Sequence, residues 1–239
     1  MSTNIYAKNY TISDSQVNVN GELKTSALFS ILQDVAESHI TKIGLGDDVT
    51  MPMGLLWVLA SQEVEISRLP MADETIIVKT WMDDTRLTFF PRHYEVESAD
   101  GKCLVEASAF WALMNNKTRE IVNPNDYDIV AEGAGIKSKI KIPRTPRSME
   151  FTGQASSMVK REYIDKNGHM NNARYFDIID EALAKEWNDL SPTHINARYL
   201  SEALLGDELE ILWGSSNKKF YILCRSRRSE HFKLEIFLS

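Results

Sequence analysis

Residues 163–183, YIDKNGHMNNARYFDIIDEAL, join a cluster of hydrogen-bonding side chains directly to the start of an apolar-striped segment. Asp165, Asn167 and His169 alternate, so an extended backbone there would turn a carboxylate, an amide and an imidazole toward one side of the chain. Asn171 and Asn172 are good helix N-caps. Tyr175, Ile178, Ile179, Ala182 and Leu183 recur at three- and four-residue steps, and the spacing predicts an amphipathic helix over about 172–187. Any chemistry would then sit at a helix N-terminus, where free N–H groups and the positive end of the dipole favour developing negative charge.

Outward from this stretch the chain repeats itself. A strand-like run over 158–164 precedes it, and further runs over 194–199, 208–214, 220–225 and 232–238 follow. In the first half, a polar extended stretch over 4–19 leads to a helix capped by Thr25 or Ser26, with Leu28, Ile31, Leu32, Val35, Ala36 and Ile40 at helical spacing. Gly44 and Gly46 end it. Strand-like runs over 55–69, 75–82, 87–96 and 104–113 follow, separated by turn signals such as Ala99-Asp100-Gly101. At an offset of 147 positions Asn20-Gly21 falls on Asn167-Gly168, Leu28-Phe29 on Tyr175-Phe176 and Ile31-Leu32 on Ile178-Ile179. At a shorter offset Asp73-Glu74 falls on Asp207-Glu208. The reading is α+β, two copies of one unit in which a long central helix is wrapped by an antiparallel sheet.

Between the copies lies a stretch with three prolines, Pro124, Pro143 and Pro146, and the run KSKIKIPRTPR. Its composition suits a linker, giving expected domains at 1–123 and 151–239 joined by 124–150. The copies differ in their polar residues. Glu22, Lys24 and Thr25 stand where the second copy has His169, Asn171 and Asn172, so the second half, 151–239, is expected to be catalytic. The first, 1–123, is left to shape a ligand pocket.

The composition is that of a globular protein, 43% hydrophobic and 26% charged over 239 residues. No apolar run approaches the roughly 18 residues that span a bilayer. The polar start MSTNIYAKNY leads us to expect no export and a cytoplasmic location. Cys103 and Cys224, in apolar strand-like runs, are expected as buried thiols. A net charge of -7 argues against nucleic acid as a partner. Phosphate-binding glycine loops, G-x-S-x-G and H-E-x-x-H are all missing from the sequence, and the two cysteines lack the paired spacing of a zinc site.

A histidine beside a helix start is ordinarily a cap, but burying it with Asp165 and Asn167 for stability alone would be costly. The residues by themselves leave a site and a structural turn on equal footing. Glu202, between an apolar strand and the turn Leu205-Gly206-Asp207, reads by default as a solvated strand-end glutamate. The aromatic residues Trp57, Trp81, Phe89, Phe90, Phe110 and Trp111 read as core or pocket wall.

The pattern D-x-N-x-H-x-N-N-x-x-Y at Asp165, Asn167, His169, Asn171, Asn172 and Tyr175 resembles the signature of the acyl-acyl carrier protein (acyl-ACP) thioesterases of plants and bacteria. The resemblance continues through Trp57-Val58-Leu59, Asp73-Glu74, Thr80-Trp81 and the run W-x-L-M-N-N-K-T-R from Trp111 to Arg119. It therefore covers most of the chain, whereas NGHMNN alone would indicate only a broader thioesterase group. It implies a tandem double hot-dog fold and hydrolysis of fatty acyl-ACP thioesters to free fatty acid, ending fatty acid synthesis. The implied catalytic set is Asp165, Asn167, His169 and, from the family's Y-x-x-E-C segment, Glu202. Ala203 replaces the cysteine after that glutamate, so a cysteine mechanism at this position is excluded.

On this reading Glu202 acts as general base on water or attacks the carbonyl itself, Asp165 and His169 orient it, and Asn167 positions the thioester. N–H groups of residues 169–172 would receive the oxyanion. No metal or organic cofactor is needed. Met51, Met53, Leu56 and Trp57 are expected along the acyl tunnel of the first half. An acidic carrier protein would dock on a local basic patch, either Lys137, Lys139, Lys141, Arg144 and Arg147 or Lys218, Lys219, Arg225, Arg227 and Arg228. The chain would be a monomer or homodimer. A coenzyme A thioesterase and a non-catalytic acyl-binding hot-dog protein are the competing readings.

Overall fold

A computed structural model describes residues 5–136, 150–183, 192–216 and 218–238. The chain divides into two units, Met1–Lys141 and Ile142–Ser239. The first contains β1 (Tyr6–Thr11), α1 (Thr25–Lys42), a short α2 (Asp47–Thr50), β2 (Leu55–Ile66), β3 (Thr75–Met82), β4 (Phe89–Ser98) and β5 (Cys103–Asn115). The second contains β6 (Gly153–Met158), α3 (Arg174–Ala182), β7 (Pro192–Tyr199), β8 (Glu208–Ser216), β9 (Lys219–Arg225) and β10 (Glu230–Leu238).

In the first unit the strands run antiparallel in the order β1-β3-β4-β5-β2. The second repeats that order as β6-β8-β9-β10-β7. Helix α1 buries Leu28, Ile31, Leu32, Val35, Ala36 and Ile40, the six positions that its period singles out. In α3 the buried face is Tyr175, Phe176, Ile178 and Ile179, continued by Leu183. Each of these large side chains gains about 1.5–3 kcal/mol by leaving water.

The duplication extends to single backbone bonds. β1 and β6 correspond at an offset of 147, as do the 3-10 turns Asp14–Gln16 and Arg161–Tyr163. Downstream the two copies correspond at 133: the Ile12 N–H donates to Glu74 O and the Val159 N–H to Asp207 O. That corrects the sequence overlay by one residue, because Asp73 pairs with Gly206 and Glu74 with Asp207. Asp73 and Gly206 share the left-handed conformation, with φ of 62° and 85°.

Several expected boundaries move. Thr25 is the first residue of α1 rather than its cap, and Lys24 holds the N-cap position. Gly44, at φ 76°, follows the end of α1, whereas Gly46 caps α2. The expected strand over 158–164 lies earlier, at Gly153–Met158, because the chain then turns through Arg161–Tyr163. Residues 184–187 of the expected second helix lie outside the described residues.

Residues 124–136, expected as linker, are anchored on the first unit. Ile129 and Ala131 are buried, the Thr85 N–H donates to Ala131 O, and the Ala134 N–H donates to Met82 O. Cys224 is buried as expected, but Cys103 is exposed because it faces outward at the first residue of β5. Among the described residues no helix is long and apolar enough to cross a membrane.

Candidate active site

The segment carrying Asp165, Asn167 and His169 is a tight hairpin turn, not the extended run that the alternation suggested. Ile164 and Met170 form an antiparallel bridge across it. The Asp165 N–H donates to His169 O at 2.9 Å and the Gly168 N–H to Asp165 O at 3.1 Å. Gly168 takes φ 84°, a left-handed conformation that glycine adopts without steric penalty. Asp165 Oδ1 accepts the Asn167 N–H at 2.8 Å, the local bond that makes aspartate a turn-former. The turn therefore gathers the three residues by reversing the chain.

Glu202 reaches the same place from the β7–β8 connection. The Met170 N–H donates to Ala203 O at 2.9 Å, tying the residue after His169 to the residue after Glu202. Asp207 Oδ2 accepts the Leu204 N–H at 2.8 Å and pairs with Arg228, which closes the loop on its other side. The result is a His169 Nε2 to Glu202 Oε1 distance of 3.0 Å. His169 Nδ1 stands 4.0 Å from Asp165 Oδ1, beyond hydrogen-bond length.

These side chains are shielded yet reachable: His169, Asp165 and Glu202 are 14%, 22% and 27% exposed. Asn167 is half-buried beside them in the turn. A carboxylate held by an imidazole at a partly open position can take a proton from water. Asp165 shapes the turn through its bond to the Asn167 N–H, and the carboxylate in direct contact with the imidazole is that of Glu202.

The expected oxyanion site changes. Met170 and Asn171 use their N–H groups on Ala203 O and Tyr163 O, so neither is left to receive a substrate oxygen. Asn171 Oδ1 accepts the Ala173 N–H at 2.9 Å, and its carbonyl takes the Arg174 N–H. It thereby bends the chain into α3, whose N-cap position is held by Ala173 and not by Asn171 or Asn172 as their residue types suggested. Tyr175, the last member of the motif, is buried and stacks on Phe232 with ring centroids 4.6 Å apart. Its place is the core.

Of the two basic patches, Lys137, Lys139, Lys141, Arg144 and Arg147 lie outside the described residues. In the other, Lys219, Arg225 and Arg228 are already paired with Glu235, Glu210 and Asp207, which lowers the charge available to a partner. Met51 and Met53 are 49% and 47% exposed, while Leu56 is buried and the Trp57 indole N–H is held by Leu45 O. Among the described residues no cluster of three or more histidine, cysteine and acidic side chains could hold a metal.

Sequence reasoning missed the surroundings of Glu202. Leu200, Leu204 and Leu205 flank it at 47%, 39% and 50% exposure. Ser201 contacts the buried His231, which stands just before the apolar run 232–238 and carries no motif.

The profile of the acyl-ACP thioesterase N-terminal domain matches residues 3–132, and that of the C-terminal domain matches residues 148–233. A chloroplastic acyl-acyl-carrier-protein hydrolase of Cuphea viscosissima is 24% identical over 197 residues, covering 76% of this chain and 48% of its own length. The chain thus spans about half the length of the curated relatives that it matches. The crystal structure of an acyl-ACP thioesterase from Bacteroides thetaiotaomicron superposes with a TM-score of 0.82 at 25% identity, over 100% of both chains. That of the 12:0-ACP thioesterase from Umbellularia californica gives 0.85 at 17% identity over 99% of this chain and 97% of its own. The fold is the tandem hot-dog arrangement of α+β units.

Proposed function

The chain belongs to the acyl-ACP thioesterase family, and we propose that it hydrolyses fatty acyl thioesters of acyl carrier protein at the turn Asp165–His169 together with Glu202. The observation that carries this reading is the 3.0 Å approach of His169 Nε2 to Glu202 Oε1, beside Asp165 in a partly open turn.

Glu202 takes a proton from water while the water oxygen attacks the thioester carbonyl carbon. The C–S bond then breaks, the thiolate leaves on the carrier's prosthetic arm, and the proton held by Glu202 neutralises it. The products are the free fatty acid and the carrier thiol. His169 fixes one carboxylate oxygen so that the other faces water, and Asp165 supports the imidazole by charge. Asn167 holds the thioester in this reading. Leu200, Leu204 and Leu205 offer an apolar rim beside Glu202 for the acyl chain or its linker. The first unit, with no histidine in its own turn, is assigned the acyl-chain pocket, and the second, catalysis.

Turnover of one acyl group carried on acyl carrier protein and on coenzyme A tests the substrate. A kcat/KM at least tenfold higher for the carrier-bound form is expected, and equal values would assign a coenzyme A thioesterase instead. Glu202→Ala and His169→Ala should each abolish most turnover on either thiol. Near-normal rates in both would leave an acyl-binding protein without this chemistry.

A further inference from the structure

The loop that carries Glu202 is held from outside the catalytic turn by a buried histidine. His231, near the start of β10, is 1% exposed. Its Nδ1 lies 2.9 Å from Ser201 Oγ, and its Nε2 lies 2.8 Å from Ser226 Oγ. Ser201 is the residue before Glu202.

One arrangement of protons satisfies the whole group. The Ser201 hydroxyl donates to Glu230 O at 2.8 Å, so its oxygen is left to accept from the Ser229 hydroxyl at 2.8 Å and from His231 Nδ1–H. In the neutral imidazole Nε2 then accepts from the Ser226 hydroxyl, whose oxygen takes the Arg228 N–H at 3.1 Å. The backbone repeats the tie, because the Leu200 N–H donates to His231 O at 2.8 Å. Burial holds the imidazole below the ordinary histidine range, and nearby Arg228 adds to that, while the Ser201 carbonyl and Asp207 oppose it. That direction favours the neutral form, which this arrangement uses.

The first unit shows what the same backbone does without this device. There the Ser67 and Arg68 N–H groups both point to Leu104 O, at 2.9 and 3.3 Å, as those of Leu200 and Ser201 point to His231 O at 2.8 and 3.4 Å. Leu104 is a fully buried apolar residue. The loop it supports carries Leu69 at the position of Glu202. An imidazole costs more to bury than leucine unless both nitrogens are bonded. It stands in the copy whose loop bears the carboxylate.

We propose that His231 is a positioning residue for the reaction: locked between Ser201 and Ser226, it fixes the peptide unit before Glu202 so that the carboxylate meets His169 at hydrogen-bond distance. This rests on Glu202 being the catalytic base. The test is a double-mutant cycle on the full chain with an acyl-ACP substrate, read by single-turnover kinetics. His231→Leu installs the residue that the first unit uses and preserves packing. It is expected to lower the catalytic rate by about tenfold with KM within about twofold, since sub-ångström misplacement of a reacting group acts on the chemical step. In the Glu202→Gln background the same substitution should have no further effect.

Ser201→Ala removes only a hydroxyl from an exposed residue, should lose about threefold or more in rate, and decides the matter if His231→Leu does not fold. Rates within twofold of wild type for the folded variant, or an equal loss in both backgrounds, would overturn the proposal. A wild-type rate for Glu202→Gln alone would instead overturn the assignment of the base.

Discussion

The turns at residues 18–22 and 165–169 are built by the same bonds and carry different side chains. In the first, the Asn18 N–H donates to Glu22 O, the Gly21 N–H to Asn18 O, and the Asn20 N–H to Asn18 Oδ1. In the second, Asp165, His169, Gly168 and Asn167 make the same three bonds. The clasp to the neighbouring loop is shared as well, from Leu23 N–H to Pro70 O and from Met170 N–H to Ala203 O. The scaffold is therefore common property. What distinguishes the second turn is Asp165 for Asn18, His169 for Glu22, and Glu202 for Leu69. The proposed function rests on those exchanges, and the backbone bonds beneath them are the same in both copies.

Carrying the exchange backward gives the largest expected effect. Asp165→Asn, His169→Glu and Glu202→Leu together install the first turn's side chains in the second. The combined variant should lose about 10⁴-fold or more in kcat, given the 10²–10⁴ typical of a single acid–base group. Its melting temperature should stay within about 5 °C of wild type, because the turn bonds are retained. A variant that unfolds would show that the scaffold is not indifferent to these exchanges.

The matched cores offer a second comparison. Phe29 and Phe176, 147 positions apart, are 3% and 0% exposed. Phe29→Ala and Phe176→Ala should each destabilise by about 3–5 kcal/mol, measured by chemical denaturation. A loss below about 1 kcal/mol at one of them would break the equivalence of the two helices.

A buried histidine makes the first unit sensitive to acid. His39 Nδ1 lies 2.9 Å from Arg92 Nη1 and accepts a hydrogen bond from it, and burial, then Arg92 and Lys42, push its pKa down to about 4. The folded unit thus disfavours protonation that the unfolded chain accepts near pH 6.5. Stability from this group is complete above pH 6.5, falls as the pH drops toward about 4, and changes no further below that. The loss is on the order of 3 kcal/mol. Denaturation at pH 7 and pH 4.5 reads it, and equal stabilities would place a charged His39 beside Arg92.

The smallest effect separates the two roles of one residue. Asp165→Asn keeps the turn, as Asn18 does in the first copy, so stability should change by less than about 1 kcal/mol. Loss of the charge 4.0 Å from His169 should lower kcat by about tenfold. Unchanged turnover would reduce Asp165 to a turn residue.

Much of this was legible in the chain, for identifiable reasons. The helical stripe of α1 reads directly because its six apolar positions face one sheet, and the duplication reads because both copies need Asn-Gly at the same bend. The geometry of the site did not read. Alternation at 165, 167 and 169 mimics a strand, and only the left-handed Gly168 turns it into a hairpin. Glu202 carries no local mark of its role, since its partner lies 33 positions away in the chain. His231 was hidden for another reason: it stands beside Glu230 just before the apolar run 232–238, and its two serines belong to separate loops.

The central claim is that chemistry belongs to the second turn and not to its twin. The direct test is kcat for acyl-ACP hydrolysis by Glu202→Gln and His169→Ala, measured beside Glu22→Ala at equal folded fraction. Losses of about 10²–10⁴ are expected for the first two and a rate within about twofold of wild type for the third. Comparable losses at all three positions, or none at Glu202 and His169, would contradict it.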